Sequence, residues 1–162
     1  EGLQIAGPPR LLETGRGRII EEGDDLAIIA VGRGVSIGSE VRKLLVSRGI
    51  SVGLLDARFI KPLDSKMICR AALHCGRVLC IEDNCLVGGF GSALLELLED
   101  NNIKAEVLRV GIPDEFIEHG RLDQLLEFIN MDPESIVETV ITRWPGLLKN
   151  GRIWGLLNFG KN

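Results

Sequence analysis

Leu26 to Val31 reads LAIIAV, an unbroken apolar run that ends at Gly32-Arg33-Gly34. A run this short falls well below bilayer length, and its lack of polar alternation suits a strand buried on both faces. Downstream, VSIGSEVRKLLVSRG places Val35, Val41, Leu44 and Leu45 near helical spacing, with Gly49 as the stop. The same pairing then recurs. ISVGLLDA (50–57) is followed by PLDSKMICRAALHCG, with Pro62 near the helix entry, Asp64 or Ser65 as cap and Gly76 at the end. RVLCIED (77–83) leads into GGFGSALLELLEDN, and KAEVLRV (104–110) is the fourth member. Strands alternating with helices predict a parallel sheet covered on both faces.

Two flanking regions break the alternation. RIIEEGDD (18–25) reads as a short strand and a turn before the first buried run, and GIPDEFIEHG (111–120) carries too many turn formers for an immediate crossover helix. Helices are predicted at 121–128 and 133–143, the second capped by Asp132 with Pro133 at its first position. Residues 1–17 hold AGPPR and GRG, so 1–16 read as a linker, 17–146 as one domain, and 147–162, with Trp154 and Phe159 among glycines, as a tail. The chain opens at Glu1 without a methionine or a leader pattern, which reads as excision from a longer protein. No internal repeat or low-complexity segment is present.

Composition narrows the function classes. Over 162 residues, 45% are hydrophobic and 26% charged, which fits one soluble globular domain and no membrane partner. The net charge of -4 comes from interspersed acids and bases without a basic stripe, so nucleic acid is excluded as a partner. Cys69, Cys75, Cys80 and Cys85 form no C-x-x-C pair, so they are expected to be reduced thiols without metal.

Three loop motifs follow strands. VGRGVSIG has the spacing G-x-G-x-x-x-G, one residue longer than the dinucleotide fingerprint, and is read as tight-turn packing; its alternative is an anion site at Gly32 to Val35 with Arg33. DARFIKPLD carries Arg58 and Lys61, but no nucleophile or tuned base is evident beside them. In CIEDNCLVGGFGSALLEL, Glu82 and Asp83 are adjacent on an extended chain and point to opposite faces, so a shared proton or metal is excluded. Gly88, Gly89 and Gly91 let the backbone turn sharply, with Phe90 as an apolar plug. His74 sits where a helix-end imidazole is favourable, while His119 has a structural or interface role. No G-x-S-x-G, H-E-x-x-H or Walker loop occurs.

The motifs GRGRIIEEG, DARFIKPLD, IEDNCLVGGFGSALLELL and GIPDEFIEHG, in this order, resemble the C-terminal domain of the 1-deoxy-D-xylulose-5-phosphate synthases, over about 12–142. The wider relatives are the C-terminal domains of transketolase and of 2-oxo acid dehydrogenase beta subunits, which stand as the alternatives. The resemblance implies a three-layer α/β/α fold with a mixed, mostly parallel five-stranded sheet, its first strand antiparallel at one edge. It also implies a dimeric parent, cytoplasmic in bacteria or plastid-borne, that condenses pyruvate with glyceraldehyde 3-phosphate on thiamine diphosphate and magnesium with loss of carbon dioxide. Two preceding domains of the same chain carry that chemistry. The family's G-D-G and N-N diphosphate motif is absent here, and EDN (82–84) stands for the commoner EEN. No catalytic, cofactor-binding or metal-binding residue is therefore assigned to this chain, and the fragment alone is expected to be inactive. The candidate interface residues are Arg58, Lys61, Glu82, Asp83, Gly88, Gly89, Phe90, Gly91, Asp114 and His119, gathered by the topology at one sheet edge.

Overall fold

The computed structural model describes residues 11–148. Five strands form a single sheet: β1 (Arg18–Glu21), β2 (Leu26–Ala30), β3 (Val52–Asp56), β4 (Arg77–Cys85) and β5 (Glu106–Ile112). Their order is β1-β3-β2-β4-β5, with β1 antiparallel to β3 and every other pair parallel. The helices are α1 (Gly34–Ser47), α2 (Ser65–Cys75), α3 (Phe90–Asp100), α4 (Leu122–Phe128) and α5 (Pro133–Arg143), followed by a 3-10 turn at Pro145–Leu147. The mixed five-stranded sheet with its antiparallel edge strand is the expected architecture.

The unbroken apolar run of β2 is explained by its central place. All five of its residues are buried, and successive side chains enter opposite layers. Leu26, Ile28 and Ala30 pack with Ile37, Val41 and Leu45 of α1 and with Ile136, Val137 and Val140 of α5. Ala27 and Ile29 face Ile68 and Ala72 of α2 and Leu94 and Leu98 of α3. Polar residues set the helix ends. Asp64 accepts the backbone N–H of Met67 at 3.1 Å, and Gly76 closes α2 with φ 66°. Asp132 caps α5 by accepting from the Ser135 N–H at 3.0 Å.

The structure alters three expected boundaries. β4 continues to Cys85 and β5 to Ile112, two residues beyond the expected ends, because the Leu86 N–H still reaches the Ile112 carbonyl at 2.9 Å. The pairing of these strands shifts register between Ile81 and Cys85. At the C-terminus, Leu147 and Leu148 belong to the α1/α5 core layer, so the packed unit passes the expected limit at 146. Trp144 is buried beside them and its indole N–H donates to Glu106 at 2.7 Å. Trp154, Phe159 and most of the expected linker lie outside the described residues.

Candidate functional site

Parallel strands β3, β2, β4 and β5 all end at one edge, so the loops at 57–64, 31–33, 86–89 and 113–121 share it. The chain enters there too, because β1 runs antiparallel and pairs Arg18 with Asp56 at the end of β3. The entering segment is pinned. Asp64 is buried, and while one of its oxygens caps α2 the other accepts the Gly17 N–H at 3.1 Å. Gly15, at φ +75°, lies so close to Pro62 that an added Cβ would stand 2.9 Å from the proline Cγ. Arg58 adopts φ 56°, unusual for a side chain with a Cβ, and Asp56 holds it by accepting its N–H at 3.0 Å. The Arg58 guanidinium stands 3.7 Å from the same carboxylate, and Lys61 is exposed.

Glu82 is the most enclosed charge, 1% exposed at the end of β4. Its carboxylate accepts the backbone N–H groups of Phe90 at 2.6 Å and Gly91 at 2.8 Å, the first amides of α3. Three glycines make room for it. A Cβ on Gly89 would run into the Glu82 carboxylate and the Cys85 carbonyl, one on Gly91 would meet Glu82 Oε1 at 3.1 Å, and one on Gly111 would meet Glu82 Cγ at 2.9 Å. Gly89 has φ -79°, so close approach rather than backbone strain requires it, whereas Gly88 adopts φ +70°. Arg109 braces the loop by donating to the Leu86 carbonyl at 3.0 Å and to Ser92 Oγ at 3.1 Å.

Four of the candidates are thereby corrected. Gly89 and Gly91 were expected to face a boundary but are buried against Glu82; Glu82 and Phe90 were expected there too, but Glu82 is spent on α3 and Phe90 is buried in the α2/α3 layer. The helix start draws Glu82 and Phe90 inward, because an unsatisfied N-terminal amide pair and a large ring gain more inside than at a wet edge. Asp83, Asp114, His119 and Lys61 stay exposed at the strand ends with Arg58 half-buried among them, and the Cys85 thiol lies 3.7 Å from Asp114. Arg109 and Ser92 were missed; the lone cation in the apolar EVLRV run was the available signal.

Neither helix start offers an open anion cradle. At α1 the amides of Gly34, Val35 and Ser36 are taken by the carbonyls of Val31, Gly32 and Arg33. A Cβ on Gly32 would meet Asp83 Oδ1 at 3.0 Å, so that turn already sits beside a carboxylate. The glycine spacing serves packing, since a Cβ on Gly34 would lie 2.6 Å from the Ile81 carbonyl oxygen and one on Gly38 3.0 Å from Ile28. At α3 the cradle holds Glu82. Among the described residues no group of three His, Cys, Asp or Glu side chains is placed to hold a metal ion. Among the described residues the groups present therefore do not fit thiamine diphosphate with its magnesium, because a diphosphate needs open donors and the metal needs converging oxygens.

All four thiols are free. Burial pushes the Cys69, Cys75 and Cys80 thiols up, and the charge of Glu82 adds to the effect at Cys80. No helix among the described residues is long and apolar enough to cross a membrane.

Residues 15–136 match the family model described as "Transketolase, C-terminal domain". A 1-deoxy-D-xylulose-5-phosphate synthase of Syntrophomonas wolfei is 52% identical over 162 residues, all of this chain and 25% of that protein. The enzyme of the same name from Cytophaga hutchinsonii is 41% identical over 129 residues, 80% of this chain and 20% of its own length. The chain thus spans about a quarter or less of these relatives. Among solved structures, a split gene transketolase described as an inactive beta4 tetramer superposes with a TM-score of 0.78 at 30% identity, covering 86% of this chain and 46% of that one. Transketolase from Campylobacter jejuni, at 15% identity and a TM-score of 0.59 over 84% of this chain and 20% of its own, shares the fold. Family match, strand order and superposition agree, and the chain belongs to the transketolase C-terminal domain family.

Proposed function

We propose that this chain is the C-terminal domain of a 1-deoxy-D-xylulose-5-phosphate synthase and serves domain packing and assembly rather than chemistry. The end-to-end match at 52% identity to a synthase carries the reading. In the proposed parent, thiamine diphosphate and magnesium, held by the preceding domains, supply the chemistry that joins pyruvate to glyceraldehyde 3-phosphate with loss of carbon dioxide. The parent is a homodimer, located in the bacterial cytoplasm or a plastid. Residues 17–148 are the packed domain within it, and the strand-end edge with Arg58, Lys61, Asp83, Gly88, Asp114 and His119 is the joint to the preceding domains. Entry of the chain at that edge supports the joint, since Gly17 is held there by Asp64 and Arg18 pairs with Asp56. Glu82, Gly89, Phe90 and Gly91 act in it indirectly, by shaping the loop that carries Gly88.

Purified alone, the chain is expected to bind no thiamine diphosphate by calorimetry and to form no deoxyxylulose phosphate from the two substrates. Turnover by the fragment refutes the assignment of chemistry to the preceding domains. The sequence upstream of Glu1 tests the family member: a G-D-G motif followed by N-N supports the synthase, and its absence favours a separate subunit, as in the 2-oxo acid dehydrogenases.

A further inference from the structure

We propose that the strand-end edge docks on the preceding part of the same polypeptide through a bipolar surface, with Phe116 as its apolar anchor. The proposal rests on the joint reading above and adds which residues bind and what they meet. Phe116, in the loop after β5, is fully exposed at 109% of its reference surface, and Val87 and Ile60 stand exposed in the loops after β4 and β3. Three apolar side chains raised from one edge are unfavourable in water unless a partner covers them, and the largest of them, Phe116, offers the most area to bury.

The charges around them are segregated. Arg33 and Lys61 follow β2 and β3, while Glu115 and Glu118 follow β5, and all four are exposed. None of these four forms an ion pair among the described residues. β3 and β5 are separated by β2 and β4, which at about 5 Å per strand puts the two poles roughly 15 Å apart. The surface that fits has acids opposite Arg33 and Lys61, and an apolar cleft rimmed by Lys or Arg opposite Phe116.

The occupant follows from the entry point. The Gly17 N–H is held by Asp64, and Gly15 lies against Pro62, so the upstream chain departs from the basic pole of this same edge. The chain spans a quarter of its first relative and matches a C-terminal domain model, so on the proposed reading a larger part of the polypeptide precedes it. A short tether holds the preceding part at millimolar effective concentration, well above that of any free partner of similar affinity.

The test uses the intact protein. Hydrogen exchange is measured at 58–62, 85–88 and 113–119, and trypsin cleavage is followed at the 11–17 segment in wild type, Phe116→Ala, Glu118→Lys and the control Leu73→Ala. Leu73 is also solvent-facing, at 66% of its reference surface, but lies near the end of α2, on the opposite sheet edge. We expect slow exchange in the three loops, roughly tenfold faster cleavage in Phe116→Ala and Glu118→Lys, no change in Leu73→Ala and unchanged oligomer mass on sedimentation. Free exchange in all three loops overturns the joint reading and the proposal with it. Protected loops with wild-type cleavage in Phe116→Ala overturn the anchor and leave the joint standing. A fall in oligomer mass with unchanged cleavage overturns the choice of occupant and assigns the edge to a second copy.

Discussion

Glu82 Oε2 lies 2.6 Å from the backbone nitrogen of Phe90, a buried carboxylate closing the start of the helix that follows it. This bond joins the end of β4 to α3 across the glycine-rich loop, and the second oxygen takes the Gly91 amide. Replacing Glu82 by Ala leaves two buried amides without acceptors and opens a void, at a cost of about 2 to 4 kcal/mol in urea unfolding. Glu82→Gln keeps one acceptor oxygen and is expected to lose less. Equal losses in the two variants would falsify the hydrogen-bond account and leave only volume.

Neighbouring glycines in the same loop are expected to fail for different reasons. Gly88 needs left-handed backbone and has open space around its Cβ position, so Gly88→Asn costs less than Gly88→Val. Gly89 has ordinary backbone but no room, so Gly89→Ala already displaces the Cys85 carbonyl or Glu82 and costs roughly 1 to 3 kcal/mol. Melting temperatures of the three variants separate strain from overlap. A Gly89→Ala protein that melts with the wild type contradicts the described loop.

Asp64 serves the α2 cap and the incoming segment together. Asp64→Ala is expected to lose about 1 kcal/mol of stability and to expose 11–17 to protease, whereas Asp64→Asn retains one acceptor and most of the cap. Unchanged digestion in Asp64→Ala shows that the segment is held elsewhere.

The C-terminal limit can be checked by truncation. Ending the chain after Gly146 removes Leu147 and Leu148 from the α1/α5 layer, and about 1.5 to 3 kcal/mol for each buried leucine predicts a loss of about 3 to 6 kcal/mol. Ending it after Leu148 keeps both. If the two truncations have the same unfolding midpoint, the leucines contribute nothing to the fold.

Thiol reactivity should follow burial. In the native protein Cys75 and Cys80 are expected to resist a disulfide reagent at neutral pH, since burial raises their thiols and thiolate is the reactive form. In denaturant all four should titrate. Zinc in stoichiometric amount on elemental analysis speaks against the free-thiol state.

The sequence alone determined the strand and helix alternation, the caps at Asp64 and Asp132, and the stops at Gly49 and Gly76, because each depends on local pattern and backbone preference. Shared position at one edge also followed, since parallel strands bring successive loop ends together. What tertiary structure decided was direction. Glu82 and Asp83 are chemically alike and adjacent, and only the arrival of α3 over the end of β4 turns one into a buried helix partner and leaves the other in water. Phe90 and Phe116 divide in the same way, the first under the α2/α3 layer and the second beyond the last strand, uncovered among the described residues. The reach of the core to Leu148 was likewise invisible, because a short 3-10 turn has no period and its burial depends on the groove left by α5 and α1. Local preference acts through neighbours in sequence, and burial acts through neighbours in space.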